Sequence, residues 1–195
     1  MSERTISECP ASDRAWPRAL RLLHWASAVL VISALGLGAY MVQVVEDPAE
    51  RFDLTQTHKT IGVVIFALTF VRLCLRVLTT APRHAHASRL LAAKAMHAGL
   101  YALLLLLPAS GWLMATTTPV RVPTVVLGLF TLPYPLAPDL ATYRVAHAVH
   151  VTAAISLALL VLLHSAAALA HALVGRGHHR RDAARVRPAL RPAPE

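Results

Sequence analysis

The chain has 195 residues, of which 56% are hydrophobic and only 15% are charged, and its mean hydropathy is +0.53. This composition is too apolar for an ordinary soluble domain. The formal net charge of +9 is interpreted as a topology signal and a contact with anionic lipid, so no nucleic-acid partner is expected.

Four apolar runs follow one another along the chain, each close to the ~20 residues that cross ~30 Å of hydrocarbon. They are Leu20–Val42, Thr60–Leu78, Ala95–Thr117 and Val145–Val174. Short connections between them predict an all-α fold, an integral membrane four-helix bundle with antiparallel neighbours. The predicted organisation is one membrane domain over residues 20–174, between an N-terminal tail (1–19) and a basic C-terminal tail (175–195).

The distribution of charge predicts the orientation of this bundle. Lys and Arg collect before the first run, between the second and third, and after the fourth, whereas acidic residues collect in the other two connections. Because cytoplasmic flanks collect Lys and Arg, both termini and both tails are expected in the cytoplasm. The longest connection, Thr118–Arg144, is then at the outer interface, where its apolar stretch is expected to form a short interfacial helix.

Histidines mark two depths in these runs. His150 and His164 are fourteen residues apart in the fourth run, which corresponds to ~21 Å of helix and places both on one face to within about 40°. His58 lies at the outer end of the second run and His24 at the cytoplasmic end of the first. The sequence therefore predicts two layers, an outer one with His58, His150 and nearby His147, and an inner one with His24, His164, His97 and His171.

Imidazoles at such depth are costly and are usually functional. Two facing histidines per layer, with no Asp or Glu deep in the spans, suit a six-coordinate haem iron whose porphyrin fills the other four positions. The chain has no CxxCH pattern, so covalent haem attachment is not expected. Two alternatives stay open: interior histidines that hydrogen-bond to neighbouring carbonyls, and a histidine-based metal transporter or sensor.

Several segments together resemble the bacterial cytochrome b561 family. They are "RLLHW" in the first run, "HKTIGV" in the second, "HAGLYALLLLLPASGWLM" in the third, "LGLFTLPY" in the loop and "HSAAALAH" in the fourth. The resemblance covers residues 20–174 and implies a four-helix electron carrier of the bacterial inner membrane with two non-covalent haem b groups. It implies that His24 pairs with His164 and that His58 pairs with His150. The family often has Trp-His-Glu where this chain has Val149-His150-Val151, so His147 is a rival to His150.

The resemblance also implies the redox partners. It indicates electron exchange with ubiquinone, with superoxide oxidation coupled to ubiquinone reduction as one activity. The alternative role is an electron-carrying subunit that serves a dehydrogenase or hydrogenase as its redox-protein partner. Arg72 and Arg76 are predicted partners of haem propionates, or else snorkelling anchors at the lipid boundary. His97 and His171 are candidates for a quinone site, or else packing residues at helix ends.

Overall fold

The computed structural model describes residues 18–78 and 87–189, with side chains described over 18–78 and 91–173. The four helices are α1 (Arg18–Gln43), α2 (Pro48–Leu78), α3 (Ala87–Thr117) and α4 (Leu140–Ala189). Each contains a stretch that is long and apolar enough to cross a membrane: Arg18–Gln43, Pro48–Leu78, Leu91–Thr117 and Leu140–Leu173. The predicted four-span all-α bundle is confirmed. The predicted tails lie almost wholly outside the described residues, except that the backbone of α4 continues to Ala189.

Two aspartates fix where α2 and α4 begin. The carboxylate of Asp47 accepts hydrogen bonds from the backbone N–H groups of Ala49 (3.3 Å) and Glu50 (3.4 Å). Asp139 caps α4 in the same way, because its Oδ2 accepts the N–H of Thr142 at 2.8 Å. Hydrogen bonds from the side chain and then the backbone of Thr142 hold the pKa of Asp139 below its ordinary value. The Asp139 carboxylate therefore stays ionised, and its negative charge interacts favourably with the positive N-terminal end of the α4 dipole.

The connection between α3 and α4 contains a β-hairpin, so the expected interfacial helix was wrong. Strand β1 (Thr124–Val126) pairs antiparallel with β2 (Phe130–Leu132). Five prolines within residues 119–138 remove backbone donors that a helix would need, and β-branched residues favour the extended backbone of β1. Between the strands, Leu127 (φ 52°) and Gly128 (φ 72°) both take the left-handed conformation that a tight hairpin turn requires.

The hairpin is held against one end of α2 by side chains of that helix. Gln56 Nε2 donates to the carbonyl of Pro123 at 2.8 Å, and Thr60 Oγ1 donates to the carbonyl of Val125 at 3.2 Å. We call this end of the bundle the hairpin end and the opposite end, where α1 begins, the Arg18 end. The two donors lie on either side of His58 in the sequence of α2, so the hairpin covers the end of the bundle at which that histidine lies.

The helices pack as α1 on α2, α2 on α3 and α3 on α4. Val31, Ile65 and Leu157 form the buried centre, to which α3 contributes partly buried leucines. Much of the remaining apolar surface points outward; Leu162 on α4, for example, is 67% exposed. Outward apolar surface on long helices is what a bundle surrounded by lipid requires.

Candidate functional site

His58 on α2 and His150 on α4 face each other at the hairpin end. Their ring centroids are 6.2 Å apart and the ring planes are inclined by 72°. We call them the hairpin-end pair. The buried Nδ1 of His58 has no hydrogen-bond partner among the described residues. Gly38 on α1 backs this imidazole so closely that a Cβ at that position would lie 3.3 Å from the His58 ring.

Hydrogen bonds with groups of α3 fix the tautomer of His150. Its Nδ1 lies 3.1 Å from the carbonyl oxygen of Leu107 and 3.0 Å from Ser110 Oγ. Because a carbonyl can only accept a hydrogen bond, Nδ1 carries the proton, and Nε2 is the nitrogen with a free lone pair for a metal. Gly111 allows this approach, since a Cβ there would lie 3.3 Å from the His150 ring.

Three histidines meet at the Arg18 end. His24 on α1 and His164 on α4, the Arg18-end pair, have ring centroids 6.4 Å apart and planes inclined by 84°. His97 on α3 joins them, with its centroid 5.6 Å from that of His164. His97 Nδ1 lies 2.6 Å from the carbonyl oxygen of Ala93 in its own helix and therefore donates to it. His97 is thus oriented by α3 toward the Arg18-end pair.

The spacing of both pairs fits a six-coordinate iron. An imidazole nitrogen binds such a metal at about 2.0–2.1 Å and the ring centroid lies about 1.1 Å behind it, so two imidazoles on opposite sides of one iron have centroids about 6.3 Å apart. The observed separations are 6.2 Å and 6.4 Å. Moreover, the hairpin-end pair joins α4 to α2 and the Arg18-end pair joins α4 to α1. Neither of these two helix pairs is among the closely packed ones. The residues present therefore fit a flat macrocycle between helices.

Within the described part of the chain, no group of three or more His, Cys, Asp or Glu side chains is arranged to hold a bare metal ion. The two imidazoles of a pair supply too few ligands for the tetrahedral sites that zinc prefers, and among the described residues His97 does not complete such a set at the Arg18 end. The two imidazoles are the complete protein contribution to an iron that is already held by four porphyrin nitrogens.

An apolar layer separates the two pairs. Leu157 lies seven residues from both His150 and His164 and is only 2% exposed. Val31 from α1 and Ile65 from α2 pack against it. Side chains of this kind offer no hydrogen-bonding groups, so the layer is a poor path for protons.

The two predicted arginines lie toward the Arg18 end of α2. The Cζ atoms of Arg72 and Arg76 are 5.5 Å and 5.8 Å from the ring centroid of Tyr101 on α3, at the range of cation–π contacts. The charge of Arg72 also acts on the imidazoles of His24 and His164. Tyr101 was not singled out by the sequence analysis, and it holds both guanidinium groups near the Arg18-end pair.

The remaining predicted residues lie outside the two pairs. His147 is exposed, and its ring is 6.1 Å from that of Tyr143, one turn earlier on α4. His171 is also exposed and, among the described side chains, makes no ring contact with another histidine. The structure thus brings His97 together with the Arg18-end pair and leaves His171 outside this group.

Comparison with known proteins identifies the family of this chain. The family model for prokaryotic cytochrome b561 matches residues 15–181. Cytochrome b561 homolog 2 of Escherichia coli (strain K12) is 31% identical over 157 residues, which cover 78% of this chain and 82% of the relative. The match separates the chain from the alternative of a histidine-based metal transporter or sensor. The chain belongs to the prokaryotic cytochrome b561 family, whose members bind haem b and carry electrons as multi-pass proteins of the bacterial inner membrane.

Proposed function

We propose that this chain holds two haem b groups and moves single electrons between them and the quinone pool. The observation that carries the proposal is the presence of two histidine pairs, at 6.2 Å and 6.4 Å, at opposite ends of one bundle. Haem b, when bound, supplies an iron that accepts and releases one electron at a time. A bundle with one such group near each face connects the two sides of the membrane.

Each side chain then has a defined task. His58 and His150 would hold the haem at the hairpin end, and His24 with His164 would hold the other. Arg72 and Arg76 provide positive charge for the propionates at the Arg18 end, where Tyr101 holds both guanidinium groups. Leu157 and its neighbours exclude water between the two sites.

The proposed orientation places the Arg18 end in the cytoplasm. Helix α1 begins, α2 ends and α3 begins at that end, and the sequence segments that adjoin these helix ends are rich in Lys and Arg, as is typical of the cytoplasmic side. The membrane domain of residues 20–174 is thus flanked by cytoplasmic tails 1–19 and 175–195. The hairpin end faces the outside.

The proposed reaction partners are superoxide on one side and ubiquinone on the other. Two superoxide anions each give up one electron and become O₂, and one ubiquinone takes up both electrons with two protons to form ubiquinol. His97, which is oriented by Ala93, and His171, which is exposed near the Arg18 end, are the proposed groups that hydrogen-bond the quinone and pass its protons. Support for superoxide comes from the family resemblance.

The haem content tests the first part of the proposal. We expect the purified chain to contain two haem b per polypeptide, seen as a pyridine haemochrome of b type and as two reductive steps in a redox titration. Superoxide should then reduce the protein, and ubiquinone should reoxidise it. One haem or none overturns the dihaem proposal. Two haems that exchange electrons with neither partner would point to the other role, a subunit serving a dehydrogenase or hydrogenase.

If quinone binds at the Arg18 end, His171→Ala should slow electron transfer to quinone without loss of haem. We expect both haem spectra to be retained, while reoxidation by added ubiquinone slows by at least about tenfold, because a proton donor to the quinone is gone. Stopped-flow spectroscopy of the reduced protein measures this rate. His147→Ala is the matched control, since it removes an exposed histidine of the same helix at the hairpin end. An unchanged rate in His171→Ala moves the quinone site away from this residue.

A further inference from the structure

Three groups are mutually hydrogen-bonded at Nδ1 of His150: this nitrogen, the carbonyl of Leu107 and the hydroxyl of Ser110. The serine has no role assigned so far. Ser110 on α3 is only 5% exposed. Its Oγ donates to the carbonyl oxygen of Leu107 at 2.9 Å and lies 3.0 Å from His150 Nδ1. His150 Nδ1 in turn lies 3.1 Å from the same carbonyl oxygen.

The positions of the protons follow from the chemistry of the three groups. The carbonyl of Leu107 can only accept, so both of its side-chain partners must donate to it. Ser110 has one hydroxyl proton, and that proton is directed at Leu107. The proton on His150 Nδ1 is therefore shared between the Leu107 carbonyl and the lone pair of Ser110 Oγ.

The facing imidazole has no comparable side-chain partner, and the hydrogen-bonding group that acts on it belongs to the backbone of Ala34 on α1. His58 Nδ1 is buried and makes no hydrogen bond within the described residues. Of the two hairpin-end histidines, His150 is therefore the one whose electron density is influenced by hydrogen bonds with groups of α3. Hydrogen bonding from the outer ring nitrogen fixes the tautomer of a ligating imidazole and makes the other nitrogen a stronger donor to the metal.

We infer that Ser110 is a positioning residue. It orients His150 and thereby lowers the reduction potential of the hairpin-end haem, without affecting the haem at the Arg18 end. The inference rests on the proposed function, because it requires His150 to be an iron ligand. A stronger nitrogen donor stabilises the oxidised iron. Removal of one of the two acceptors for the Nδ1 proton therefore makes reduction easier.

Ser110 also lines an apolar groove of about 470 Å³ between α3 and α4, together with Ala109, Leu113 and Ala146. This space can accept one additional methyl group beside the hydroxyl. Ser110→Thr therefore keeps the hydroxyl without displacing His150, whereas Ser110→Ala removes it with little change in volume. Thr117→Val is a matched control, because Thr117 is a buried residue of α3 whose hydroxyl donates to Leu113 in its own helix at 2.7 Å.

The test is a redox titration of the holoprotein that resolves the two haems. In Ser110→Ala we expect both haems to be retained and one of the two reduction equilibrium constants to rise by about threefold to tenfold, as for the loss of one hydrogen bond. Tenfold corresponds to about 59 mV for one electron. The low-spin electron paramagnetic resonance signal of the same haem should shift, while Ser110→Thr and Thr117→Val should match the unmodified protein.

Parallel measurement of His150→Ala separates this inference from the function on which it depends. If His150→Ala loses one haem and Ser110→Ala leaves both potentials unchanged, the role of Ser110 is overturned and the haem assignment stands. If His150→Ala keeps both haems, the assignment of the ligand itself is overturned. A shift of equal size in both haems of Ser110→Ala also contradicts a local role.

Discussion

His164→Ala should remove about one haem from each chain and leave the other in place, since a six-coordinate site that loses an axial imidazole no longer holds its porphyrin. His24→Ala should give the same result, because the two rings face each other at 6.4 Å across the Arg18-end site. Haem per polypeptide, measured by pyridine haemochrome, checks both variants. In a redox titration, the step that remains should belong to the hairpin-end haem in each case.

His97→Ala is the control for this prediction, because its ring is closer to His164, at 5.6 Å, than that of His24. We expect this variant to retain both haems. Added imidazole should restore the missing haem in His164→Gly, which would show that the loss is one of ligation and not of folding. If His97→Ala empties the site and His24→Ala does not, the partner of His164 is His97. Retention of two haems in both His24→Ala and His164→Ala would refute the site.

At the hairpin end, His150→Ala should lose one haem while His147→Ala keeps both. The reason is geometric. His150 is half-buried, faces His58 at 6.2 Å and has its Nδ1 bound by α3, whereas His147 is exposed beside Tyr143. His58→Ala should reproduce the loss seen in His150→Ala. Haem stoichiometry with the visible spectrum of the dithionite-reduced protein measures all three.

The opposite pattern, with loss in His147→Ala and retention in His150→Ala, would transfer the ligand role to His147 and would require α4 to rotate by about 60°. Tyr143→Phe is a useful companion to His147→Ala, because it alters the same exposed surface without changing a histidine. Both variants should have unaltered haem content and at most small changes in potential.

The four helices could be predicted because hydropathy and length are enough to define a span. Their ends depend on other features. By hydropathy the second run begins at Thr60, but Asp47 caps a helix that starts at Pro48, so α2 includes about three turns of mostly polar residues before the apolar run. The hairpin was missed for a different reason. An apolar connection near an interface is compatible with a helix by composition alone, and only the placement of its prolines and of Gly128 favours strands.

The histidine layers could also be predicted, since the fourteen-residue step from His150 to His164 fixes both depth and face. The groups that hold His150 could not. Ser110 and Gly111 belong to "LPASGW", a segment that contributed to the resemblance without suggesting a role for either residue. Small residues in a membrane helix usually indicate close helix packing. The contact with His150 depends on the rotation of α3 relative to α4, which no local pattern encodes.

The fourteen-residue step on α4 also has an electrical consequence. It corresponds to about 21 Å of helix, or roughly two thirds of the ~30 Å hydrocarbon core. An electron that passes between the two layers therefore crosses a similar fraction of the transmembrane voltage, and in a cell whose interior is negative, inward passage costs about 1.5 kcal/mol per 100 mV. In the proposed orientation, inward transfer from the hairpin end would thus slow as the membrane becomes energised, and a collapse of the voltage by an ionophore would accelerate it.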